Sequence, residues 1–115
     1  MSAVELKQRL RADLKAAMQA RASDEVRLLR TLIAALDNAE AVPGGGLVDK
    51  YVPRSFGDPS GEVARLALDD AAVGRVLADE ISARLAAADE YQRHGETAEE
   101  ARLRREAQLI ARYRA

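Results

Sequence analysis

The sequence predicts an all-α fold, in which two helical hairpins (about four helices) pack as one small bundle and are joined by a long connection containing glycine and proline. Three observations carry this expectation. Apolar residues recur every three or four positions in four separate stretches, each opened by residues that favour helix starts. The 48% apolar share is mostly alanine and leucine, with three tyrosines, one phenylalanine and no tryptophan. That composition suits helices that approach closely rather than a sheet. Finally, all three prolines (Pro43, Pro53, Pro59) and most of the glycines fall in one central stretch. At 115 residues the chain reads as a single domain, 1–115, divided into a hairpin over 3–40, a linker over 41–67 and a hairpin over 68–114.

The first helix is expected from about residue 3 to residue 20. Ser2-Ala3-Val4-Glu5 has the form of a capping box, and Leu6, Leu10, Leu14, Ala17 and Met18 follow at helical spacing. Ser23 offers the next N-cap. Asp24 and Glu25 would then oppose the positive end of the helix dipole, ahead of an apolar stripe of Leu29, Leu32, Ile33 and Leu36. This helix should stop near Glu40, because Pro43 and Gly44-Gly45-Gly46 cannot sustain it. A structureless loop as long as 41–67 is uncommon in a compact domain. It should be mobile or lay Leu47-Val48 or Tyr51-Val52 on the helices, and 62–68 could add a helical turn or two.

The second hairpin has the fuller punctuation. Asp69 or Asp70 can cap a long helix whose stripe is Val73, Leu77, Ile81, Leu85 and Ala88. Gly95 relieves the left-handed conformation at its end, and Thr97-Ala98-Glu99-Glu100 reads as a capping box for a last helix with Leu103, Ala107 and Ile110 inside. With so few residues between them, these helices must fold back antiparallel.

Eighteen basic and nineteen acidic residues leave a formal charge of −1, so no global field draws the molecule to nucleic acid or an anionic membrane. The chain has no cysteine, which excludes disulfides and thiolate chemistry. No apolar run is long enough for a membrane span, and a cytoplasmic location is expected. Signatures of catalysis are also missing. His94, the one histidine, sits where it can meet helix-terminal carbonyls. Gly44-Gly45-Gly46 lacks the lysine and hydroxyl of a phosphate loop, and no serine lies in a nucleophile elbow. Adjacent carboxylates such as Asp79-Glu80 diverge around a helix, so neither a metal nor a cofactor is expected. Glu80 and Arg84, at i and i+4, read as an ordinary surface pair. Arg102, Arg104 and Arg105 read as compensation of the helix dipole or as phosphate contacts, the latter with help from Lys7, Arg9, Arg11 and Lys15.

Taken in order, several segments resemble the YqeY-like family, whose members share a tail domain with the GatB subunit of glutamine-dependent tRNA amidotransferases. The resemblance runs through Leu14-Lys15-Ala16-Ala17-Met18, Leu29-Arg30-Thr31-Leu32-Ile33 and Asn38-Ala39-Glu40. It continues in Glu80-Ile81, Arg84, Asp89-Glu90-Tyr91, Gly95, Leu109-Ile110 and Tyr113. The central connection is longer and richer in glycine and proline than the family pattern. The family's tail domain, the part associated with tRNA, has no counterpart after Tyr113, so a tRNA role carried by it is not transferred.

The resemblance implies a non-catalytic helical binding or accessory module linked to a tRNA amidotransferase or to translation, with a protein partner and, more weakly, tRNA. Its candidate binding residues are Arg30, Asn38, Glu40, Glu80, Arg84, Tyr91 and Arg93. Two alternatives are a component of a carbon-nitrogen ligase that uses glutamine as amido donor, and a self-associating structural protein with an apolar patch of Leu47, Val48, Tyr51, Val52 and Phe56.

Overall fold

The computed structural model describes residues 1–41 and 67–114. These form four α-helices: α1 (Ala3–Gln19), α2 (Ser23–Glu40), α3 (Asp70–Arg93) and α4 (Thr97–Ala111), closed by a 3₁₀ turn, Arg112–Arg114. The chain is thus a small all-α bundle. α1 packs along α2 and α3 along α4, and the hairpins meet chiefly where α2 crosses α3. The 3₁₀ turn folds back against both α3 and α4. The apolar segments expected in the linker, Leu47-Val48 and Tyr51-Val52 with Phe56, lie outside the described residues. At its far end Ala67 and Leu68 are not helical, and Leu68 packs against the core.

Two of the expected caps form. The Glu5 N–H donates to Ser2 Oγ at 3.1 Å, and the Ala72 N–H donates to Asp69 Oδ1 at 2.7 Å. The other two do not. Ser23 and Thr97 are the first residues of their helices, the N-cap positions belong to Ala22 and Glu96, and neither cap has a side-chain hydrogen bond. The cause is the turn. In each hairpin the backbone leaves the first helix through a paired-bond motif with a left-handed residue, Arg21 at φ 56° and Gly95 at φ 72°. Arg21 N–H donates to the Met18 carbonyl and Ala22 N–H to that of Ala17; Gly95 N–H donates to Gln92 and Glu96 N–H to Tyr91. The residue after the left-handed one already stands at the head of the next helix, accepting from Val26 N–H or Glu100 N–H, so the hydroxyl residue arrives one position late.

The core is dominated by leucine. Leu6, Leu10, Leu32, Leu36, Leu77 and Ile110 are fully buried, and Leu28, absent from the expected stripe, joins Leu29 inside. Two expected core residues are outside, Met18 at 51% exposure and Leu85 at 39%. Met18 follows the buried Ala17 by about 100° of helix rotation. On α3 the buried positions are Val73, Leu77 and Ala88; continuing that face from Leu77 to Ala88 places Arg84, not Leu85, on the seam with α4. No helix among the described residues is long and apolar enough to cross a membrane.

Candidate functional site

Arg84 organises the second hairpin. Its Nε donates to Glu106 Oε1 on α4 at 3.0 Å, while its Nη1 donates to the Glu80 carbonyl and to Glu80 Oε1. Arg84 and Glu106 side chains are only 14% and 13% exposed. The expected surface pair of Glu80 and Arg84 is therefore one side of a half-buried cluster whose Arg84–Glu106 bond bridges α3 and α4, and which water screens less than an exposed pair. Arg102 extends it, donating to the other Glu106 oxygen at 2.8 Å and to Glu99 at 2.7 Å. The Glu99 bond, aided by Glu106 and opposed by desolvation, holds the Arg102 guanidinium above its ordinary pKa. Arg104 crosses the same seam nearer the turn, to Asp89 at 3.0 Å, and binds Glu100 within α4; the Asp89 bond leads the causes that raise its pKa.

The cations expected to contact phosphate thus divide. Arg102 is engaged by Glu99 and Glu106 within α4, and Arg104 by Glu100 and, across the seam, by Asp89. Arg105 is exposed and has no carboxylate partner among the described residues.

In the first hairpin the corresponding bridge starts from Lys7. Its ammonium lies 3.3 Å from Asp37 Oδ1 and 2.5 Å from Glu40 Oε1. Glu40 is 9% exposed, and its Oε1 receives no donor of hydrogen-bond geometry among the described residues, so this contact is an ion pair. Glu40 accordingly ties α2 to α1 and is not an open binding residue. Asn38 is exposed, and its carbonyl, not its side chain, accepts from Ala41 N–H at the helix end.

Tyr91 and Arg93 stand near the turn at the tip of the second hairpin. Tyr91 is 38% exposed, and Arg93 is an exposed partner of Glu90. His94, the residue that caps α3, lies 3.5 Å from the other Glu90 oxygen.

The remaining candidates converge on the groove between α2 and α4. One cleft of about 330 Å³ is lined by Ser23, Asp24, Glu25, Leu28, Arg102, Arg105, Glu106 and Leu109. The next, about 260 Å³, shares Leu28, Arg102 and Glu106 and adds Arg27, Thr31, Arg84 and Leu103. Arg27 and Thr31 continue into a shallow cleft with Arg30, Val26 and Ala34. Arg84, Arg102 and Arg105 therefore share one groove with a leucine floor and a charged rim, Arg30 lies beside it on the surface of α2, and Asn38, Glu40, Tyr91 and Arg93 lie away from it. Sequence reading missed the pairings of Glu106 with Arg84, of Lys7 with Asp37 and Glu40, and of Asp89 with Arg104. A signal for the first was present: Arg84 and Glu106 are equidistant in sequence from Gly95, so an antiparallel hairpin turning there brings them opposite one another.

No family model, curated protein or solved structure matches the chain.

Proposed function

We propose that the chain is a non-catalytic binding module of the YqeY-like kind, which docks through the α2–α4 groove onto a component of tRNA-dependent amidation or of translation. What supports the reading is the division of labour among its arginines. Arg84 and Arg102 are committed to Glu106 in the groove's wall, while Arg105 is exposed on the groove's rim and Arg30 on the α2 surface beside it. An apolar floor with a polar rim is the usual anatomy of a docking surface, and uncommitted rim cations steer an acidic partner. The order of the motif residues from Leu14 to Tyr113 supplies the link to amidation.

The test is an affinity capture from cytoplasm with the tagged full chain, assaying amidotransferase subunits, translation proteins and tRNA separately, beside an Arg30→Glu, Arg105→Glu variant. Reversing these two charges leaves the carboxylate network intact, unlike truncation of Arg102 or Arg104. Recovery of amidotransferase or translation components that falls about tenfold in the variant supports docking through the groove. Recovery of none of these classes above background ends the reading.

A further inference from the structure

A cleft of about 400 Å³, adjoining the α2–α4 groove at Glu25, Leu28 and Leu109, opens where α1, the first turns of α2 and the closing 3₁₀ turn meet. Its size lies within the range of small-molecule sites, about 300–1,000 Å³. Ala17, Leu28, Leu29 and Leu109 supply an apolar floor, and Arg9, Asp13, Glu25 and Arg112 supply charges of both signs. Tyr113 is a fixed wall. Its hydroxyl donates to Asp13 Oδ2 at 2.5 Å, and the Arg9 guanidinium carbon sits 4.9 Å from its ring centre, within cation–π range. Burial, then the Asp13 bond, raises the phenol's pKa, and Glu25 lines the same cleft. Asp13 and Arg9 are thereby engaged. Glu25 and Arg112 form no ion pair among the described residues.

We infer that this cleft binds a free α-amino acid with an apolar side chain, its ammonium at Glu25, its carboxylate at Arg112 and its side chain against Leu28, Leu29 and Leu109. The argument is one of exclusion by charge. A simple anion would meet the carboxylates of Asp13 and Glu25, and a simple cation the guanidiniums of Arg9 and Arg112, each a repulsion that selects against the wrong ligand. A neutral apolar molecule would pair with neither of the two uncommitted charges, which are exposed at the cleft's edge. A zwitterion with an apolar branch satisfies all three features at once. The inference does not depend on docking through the α2–α4 groove.

The experiment is ligand-observed NMR with the full chain and leucine as probe. Alanine serves as the control without an apolar branch, and 4-methylpentanoate and 3-methylbutylamine as controls with one charge each. Leucine should bind, and Glu25→Gln and Arg112→Gln should each weaken it about tenfold or more while leaving the helical circular dichroism unchanged. Arg105→Gln, outside the cleft, should bind as the parent does. Absence of leucine binding at about 10 mM overturns the inference. So does equal binding of 4-methylpentanoate, or retention of binding by both cleft variants.

Discussion

In the turn between α1 and α2 the left-handed position is held by Arg21, and in the turn between α3 and α4 by Gly95. The residues that follow adopt nearly the same backbone, Ala22 at φ −83°, ψ 79° and Glu96 at φ −84°, ψ 75°. The two turns are one structure written with different residues, so the hydrogen bonds of the motif set its shape and glycine only lowers its cost. The hairpins built on these turns are held differently. Leucines from both helices, Leu6, Leu10, Leu28, Leu29, Leu32 and Leu36, close the first. The second buries Ala88, Leu103 and Ala107 between its helices and adds the cross-helix pairs of Arg84 with Glu106 and Arg104 with Asp89. Large apolar side chains dominate the first seam, whereas cross-helix ion pairs share the second with its buried apolar residues.

The largest expected effect tests the leucine seam. Leu36→Ala, at a fully buried position, should cost about 2–5 kcal/mol in chemical denaturation, enough to threaten the fold of a small domain. A loss below about 1 kcal/mol would show that this seam collapses around the cavity.

The charged seam should respond differently. Arg84→Met leaves Glu106 and Glu80 poorly solvated and should cost about 1–3 kcal/mol. Adding Glu106→Gln should recover part of that loss, since a neutral amide is cheaper to strand than a carboxylate. A double variant as unstable as the sum of the two single variants would mean the pair does not couple.

The turns predict opposite signs for exchanges at equivalent positions. Gly95→Ala should lose about 1 kcal/mol, because an added Cβ meets open space and the whole penalty comes from the left-handed backbone. Arg21→Gly should gain about 0.5–1 kcal/mol. Equal signs in thermal unfolding would contradict the equivalence of the two turns.

The smallest effects separate working caps from displaced ones. Ser2→Ala and Asp69→Ala should each cost about 1 kcal/mol, whereas Ser23→Ala and Thr97→Ala should stay within about 0.5 kcal/mol of the parent.

Helix number, order and hairpin pairing were legible in the residue pattern, as were Ser2, Asp69 and Gly95 as punctuation. The candidate site was legible in part. Arg84, a binding candidate, and Arg102 and Arg105, possible phosphate contacts, are gathered by folding along one groove. Glu40 was chosen as an open residue and is buried against Lys7. Ser23 and Thr97 were misread because a capping residue is recognised only relative to the helix start, and the start depends on how the preceding helix ends. The wall formed by Tyr113, Asp13 and Arg9 joins the two ends of the sequence, beyond the reach of any spacing rule.

Periodicity and local punctuation were sufficient to decide where helices form, because the interactions that start, extend and stop a helix span only a few residues. The tertiary structure alone decided how each helix is rotated about its axis: that Arg84 lies in the seam while Leu85 faces out, that Leu28 is buried, and that Arg102 pairs with Glu106. Rotation is set by competition among all the side chains that could fill a shared interior, and its winners are chosen by volume and charge on elements far apart in sequence.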